Sequence, residues 1–260
     1  MKRIYIIIAT IAAIAISAVN AYGEELTAKA EKAYSADKYS EALALYEQAA
    51  ANEGTSSALM YNIGNCHYRL GHPGKAILYY ERALNIDPTN ADARSNLEFA
   101  KSKITDNTDV DESNIIVELF RKIRDCSSSN GWATIAIVTF LLFLAAIALY
   151  VFGSSVLQKK IGFFGAIVLL IIVIFANGFA YNIRNRIEQK RYAIITVPTV
   201  VLSTSPRQPK GKTEEAFILN EGTKIYILDS VANKDEGIWY DIKADDSHRA
   251  WIYGVNIEKI

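Results

Sequence analysis

Three histidines, two cysteines and a few adjacent carboxylates are the groups through which this chain could do chemistry. Cys66-His67 with His72 has the composition of a metal site. Successive helical residues, however, point to different sides, so Cys66 and His67 share no ligand face. Helix packing is the better reading of both. Gly74-Lys75 has the look of a phosphate loop. Arg69 occupies the position of the required first glycine, and Ala76 replaces the Ser/Thr that would reach a metal. Glu24-Glu25 and Asp245-Asp246 read as a helix start and a turn. No H-E-x-x-H or G-x-S-x-G pattern occurs. Cys66 and Cys126 have no spacing that brings their Cα atoms within the roughly 7 Å a disulfide allows, so two free thiols are expected. The expectation is a non-enzymatic protein with no cofactor and no metal.

The elements that would carry these residues begin with Ser57 to Asn90, SALMYNIGNCHYRLGHPGKAILYYERALNIDPTN. Gly64 and Ala76 are small where two helices must approach, and Ala83 is small where a neighbouring unit must stack. Tyr80 is a large apolar plug. Gly71 suits the left-handed residue closing a first helix, and Pro88 cannot extend the second. These 34 positions resemble a tetratricopeptide (TPR) repeat. One such unit cannot bury its own apolar face. At the same interval upstream, Tyr39, Ala42, Tyr46, Ala49 and Ala30 reproduce the pattern in a degenerate repeat, Gly23 to Ser56, where Lys29 replaces Ile63 and Gly54 the closing proline. Downstream, Leu97 in ADARSNLEFAKSKI marks a capping helix. The TPR region is thus 22–105, with repeats 23–56 and 57–90 and a cap over 91–104.

A formal net charge of zero gives no basic excess for nucleic acid. The hydrophobic share, 51%, is high for a chain with 22% charged residues. It is concentrated in three runs. Lys2 and Arg3 precede the uncharged stretch Ile4 to Val19, and Val19-Asn20-Ala21 offers a cleavage site, so 1–21 reads as an export signal. Segments 132–152 and 161–181 carry no charge, and at about 1.5 Å per residue each matches a bilayer core. They predict an antiparallel transmembrane hairpin across 132–181, connected by Gly153 to Lys160. Asn177 and Gly178 in the second segment suit helix packing.

An export signal places the TPR region outside the cytoplasm and returns the C-terminal region there. Arg121, Lys122 and Arg124 before the hairpin, and Arg184, Arg186, Lys190 and Arg191 after it, argue the opposite way by positive-inside counting. Long domains translocate regardless of charge, so the export signal takes precedence. Between repeats and hairpin, 106–131 comprises a polar linker and NIIVELFRKIRD. The apolar residues of that segment share one helical face, which suits either a membrane-surface helix or continuation of the repeat stack.

Beyond the hairpin, 193–197, 224–228, 238–242 and 250–253 are short β-branched or apolar runs bounded by turn residues. They predict a small barrel of about five strands over 191–260. VVLSTSP, FILNEGTKIYIL, WYDIK and AWIYGVNIEKI make it resemble a bacterial SH3-like domain, with Ala250 where that family has glycine before Trp251. Trp239 and Tyr240 point to opposite faces of their strand, so one is expected in the core and the other on a candidate SH3-like surface.

The fold expectation is therefore multi-domain: all-α TPR repeats, a transmembrane hairpin and a C-terminal all-β SH3-like barrel. This order resembles the E-type members of the Bat (Bacteroides aerotolerance) operon family. The resemblance implies an inner-membrane protein with periplasmic TPR and SH3-like domains. It also implies von Willebrand factor A-type Bat membrane proteins as partners and, indirectly, a MoxR-type ATPase. Polypeptides and membrane lipid are the expected partners, with a role in stress tolerance.

Within the repeats, Tyr61, Asn62, Asn65, Tyr68 and Arg69 are the candidate protein-binding groove. Amides, phenols and a guanidinium suit an extended peptide. Asn62 and Asn65 match positions of TPR carboxylate clamps. Thr27, Glu31, Ser95 and Phe99 replace the remaining clamp residues, and Glu31 would repel a terminal carboxylate. An alternative role is envelope attachment, with the SH3-like domain holding peptidoglycan. Sedimentation of 191–260 with purified sacculi would separate that role from protein scaffolding.

Overall fold

The computed structural model describes residues 25–104, 115–233, 237–245 and 247–260. The expected export signal and most of the polar linker lie outside them. Five helices come first: α1 (25–35), α2 (Tyr39–Glu53), α3 (Ser57–Arg69), α4 (Pro73–Ile86) and α5 (Ala91–Lys101). They are two helix–turn–helix units and a capping helix. Ser56 caps α3 by accepting from the Leu59 N–H at 3.2 Å, and Asn90 caps α5 by accepting from the Ala93 N–H at 2.9 Å. Gly71 closes α3 at φ +79°, a conformation costly for any residue with a Cβ. A Cβ on Gly64 would lie 2.7 Å from the Tyr80 ring, which explains why that position is glycine.

α6 (Ile115–Arg124) precedes two long helices, α7 (Ser129–Phe152) and α8 (Val156–Gln189). The last two are long and apolar enough to cross a membrane, with mean hydropathies of 2.8 and 2.6. α7 and α8 pack together with Ala136, Gly162 and Ala176 buried. A Cβ on Gly162 would meet the Tyr150 backbone nitrogen at 2.6 Å, so the two backbones approach closely there. Asn177 donates to the Val173 carbonyl of its own helix at 2.8 Å. α8 begins earlier than expected, which puts Lys159 and Lys160 inside the helix and shrinks the connection to 153–155. The cause is a capping box: Ser155 Oγ accepts from the Gln158 N–H, and Gln158 Oε1 accepts from the Ser155 N–H.

The C-terminal strands are β1 (Tyr192–Ile195), β2 (Thr199–Ser203), β3 (Glu215–Asn220), β4 (Lys224–Asn233), β5 (Gly237–Lys243), β6 (Arg249–Tyr253) and β7 (Ile257–Lys259). They form an antiparallel sheet in the order β3-β2-β6-β5-β4-β1-β7. This differs from the five-strand barrel expected. The edge strands β3 and β7 do not pair with each other among the described residues, so the sheet stays open. Its core is built from Ile195, Leu202, Ile225, Ile242 and Ile252, with Tyr240 packed alongside.

The chain divides into two compact units. One joins the repeat helices with residues 191–260, and the other contains α6, α7 and α8. In the first unit, β1 is buried on both faces. Ala193 and Ile195 enter the sheet core, while Ile194 between them turns to the opposite side and packs with Ala76, Ile77, Leu78 and Leu97. Ile260 joins the same cluster. Helix α4 and the sheet thus share one core.

Candidate functional site

The sheet covers the second-helix side of the repeat. Ile77 and Leu78 of α4 are fully buried, and Glu81 is buried between Lys101 of α5 and Lys224 of β4, at 3.1 and 2.8 Å. Burial alone would raise the Glu81 carboxyl. The two ammonium groups, Lys224 first, outweigh it and hold the carboxyl down at about 2. Glu221, in the β3–β4 turn, accepts from the Gly74 N–H at 2.8 Å. A carboxylate there caps the positive end of α4. Arg82 donates to the Lys259 carbonyl at 2.6 Å. These contacts satisfy buried polar groups at the seam between helices and sheet.

The first-helix side remains open, and the five groove residues divide on it. Asn62 lines a cleft of about 230 Å³ together with Thr27, Glu31, Ser56 and Leu59. Asn65 does not face that cleft. Its Oδ1 accepts from the Tyr80 hydroxyl at 2.7 Å and from Asn96 Nδ2 at 2.9 Å, tying α3 to α4 and α5. Tyr61 and Tyr68 are half-buried, with ring centroids 6.0 Å from Tyr80 and 5.7 Å from Phe99. Arg69 turns toward the α1–α2 junction, where it lies over the Tyr39 ring at 4.8 Å and pairs with Asp37 at 3.5 Å. Of the five, then, Asn62 borders a concavity, and the other four contact neighbouring helices or their junctions.

Phe99 belongs to this surface although the groove prediction omitted it. It is 52% exposed on α5, with Lys103 Nζ 5.3 Å from its ring. The signal available in the sequence was its place among the clamp positions, where it was read only as a replaced clamp residue.

Residues 57–90 match the tetratricopeptide repeat. No curated protein matches the chain. The repeat is a module that binds proteins or peptides, and the matched residues are those of α3, α4 and their closing turns.

The remaining candidates differ in burial. Trp239 is buried, with Tyr253 at 5.5 Å, and Tyr240 lies half-buried against the sheet core with Lys259 Nζ over its ring at 4.6 Å. His67 is buried and stacked on Tyr79 at 5.2 Å. Burial, helped by nearby Lys75, pushes it down to about 4, so it is neutral at ordinary pH. Cys66 is buried and its thiol is pushed up to about 12, chiefly by burial, which leaves it unreactive. Cys126 is exposed, and both cysteines are free. No cluster of three or more His, Cys, Asp or Glu suited to a metal occurs among the described residues.

Proposed function

We propose that this chain is a non-enzymatic, membrane-anchored scaffold whose repeat helices bind an extended segment of another protein. The observation that carries this reading is the division of the repeat's two sides. The sheet occupies the α4 side, while the α1–α3–α5 side keeps a cleft at Asn62 and an exposed aromatic at Phe99. An amide, a carboxylate and an aromatic edge are groups that hold a peptide backbone and one or two side chains. Helices α7 and α8 supply the anchor by their length and hydropathy. On this reading two crossings bring the chain back to the side it left, and the packing of α4 with Ile194 and Ile260 supports that arrangement by holding the repeats and the sheet together.

The finer reading is an exported scaffold of the bacterial inner membrane, facing the periplasm. Its support is the apparent signal at 1–21 and the resemblance to the Bat operon family. On that resemblance the sheet is an SH3-like module, and von Willebrand factor A-type Bat proteins are the expected partners. Affinity purification of the intact chain in mild detergent tests the proposal. A defined set of membrane proteins should co-purify with the wild type and be depleted with Asn62→Ala/Phe99→Ala. Equal recovery from both chains would refute the assignment of this surface.

A further inference from the structure

Helix α6 is the amphipathic element that the scaffold leaves unused. None of its ten residues is buried, and Ile115, Ile116, Val117, Leu119, Phe120 and Ile123 are between 43% and 82% exposed. At about 100° per residue, Ile115, Ile116, Leu119, Phe120 and Ile123 share one side of the helix. Glu118 and Arg121 lie opposite, with Lys122 and Arg124 at the two boundaries. An exposed apolar stripe of this extent marks an interaction surface.

Three contacts place α6 beside α7 and α8. Arg124 donates to Asn182 of α8 at 3.0 Å, and its carbonyl accepts from Trp132 Nε1 at 2.7 Å. Trp132 stands at the start of the apolar part of α7, where interfacial tryptophans gather. Phe120 packs on Phe175 of α8 with centroids 6.3 Å apart. Phe175 precedes Asn182 by seven residues (182−175), about 10 Å along the helix. Phe120 therefore lies beside the apolar part of α8, and the Arg124 end of α6 lies near the polar end of that helix. α6 thus sits obliquely at the boundary where amphipathic helices meet a bilayer.

We propose that α6 is an interfacial helix docked on an anionic phospholipid surface, with its isoleucine–leucine side in the acyl boundary. Lys122 and Arg121 face the headgroups, where each basic residue favours the docked state by about fivefold. Charge at the same end continues in Arg184, Arg186 and Lys190 at the close of α8. The proposal is independent of which polypeptide the repeats bind.

The full chain can be tested with nitroxide labels at Ile116→Cys, Leu119→Cys, Ile123→Cys, Glu118→Cys or Arg121→Cys, each in a Cys66→Ala/Cys126→Ala background. Each is reconstituted into vesicles of phosphatidylcholine alone or with phosphatidylglycerol. The expected result is high oxygen and low aqueous-relaxant accessibility at 116, 119 and 123, with the reverse at 118 and 121. Phosphatidylglycerol should deepen the first three several-fold in accessibility ratio, and Arg121→Glu/Lys122→Glu should abolish that response. Labels at 116, 119 and 123 shielded from both relaxants would place a protein there and overturn the proposal. So would uniform aqueous exposure, or insertion indifferent to phosphatidylglycerol.

Discussion

Glu81 on α4 and Lys224 on β4 are 143 residues apart in sequence and 2.8 Å apart in space. The pair, completed by Lys101, lies where the helical repeat meets the sheet. Replacing Glu81 with Gln removes the charge that both ammonium groups share. Each lysine is about a third exposed and can turn to water, so the loss should be about 1–3 kcal/mol rather than the full cost of a stranded buried charge. A lowered unfolding midpoint in urea, measured in detergent micelles, is expected. An unchanged midpoint would show that the triad does not hold the seam.

Acid should weaken the same unit in two stages. His67 titrates at about 4 when folded against an ordinary 6.5, so the unfolded chain takes its proton first. The stability this group contributes is fully present above 6.5 and is lost as pH falls toward 4, at most about 3 kcal/mol. Glu81, depressed to about 2 from 4.5, adds a second loss between those values. Melting temperature followed against pH should fall through the upper window in the wild type and stay flatter in His67→Phe. Parallel curves would refute the assignment.

Asn65 and Asn62 should separate stability from binding. Asn65→Ala strands the Tyr80 hydroxyl, which is buried, and should cost about 1–3 kcal/mol. Asn62→Ala should change stability by no more than about 0.5 kcal/mol while reducing recovery of co-purifying proteins. Thermal unfolding and affinity recovery of both variants decide the matter. Loss of binding confined to Asn65→Ala, or loss of stability in Asn62→Ala, would reverse the roles assigned to them.

If α7 and α8 cross a bilayer as proposed, the core shared by α4, Ile194 and Ile260 puts the repeats and the sheet on one side of it. A cysteine at Lys32 and another at Lys212, each in a chain lacking Cys66 and Cys126, should react with a membrane-impermeant maleimide from the same side of the membrane. Reaction from opposite sides would be incompatible with the Ile194 and Ile260 contacts to α4.

Local features of this fold were legible in the sequence because they depend on neighbours a few residues away. Gly64 against Tyr80, the left-handed Gly71 and the two uncharged segments all belong to that class. The seam between repeat and sheet was not legible. Its contacts join residues 143 to 177 positions apart, and Ile194 reads like any residue of an apolar strand. The open sheet was misread for a related reason. Periodicity locates strands, whereas closure depends on which edges meet. Asn65 was grouped with Asn62 because spacing gives the side of a helix and not the hydrogen bonds made there. Ser155 and Gln158 form a capping box that the sequence displays, but the apolar run beginning at Ile161 drew the helix start away from it.

The central claim is that the α1–α3–α5 side of the repeat receives another polypeptide. A photo-crosslinking amino acid placed at Asn62, at Phe99, or at Gln48 on the exposed face of α2 tests this in living cells. The account predicts discrete adducts with one or a few proteins from positions 62 and 99 and none from 48. Absence of adducts at 62 and 99, or an indistinguishable pattern at all three, would contradict it.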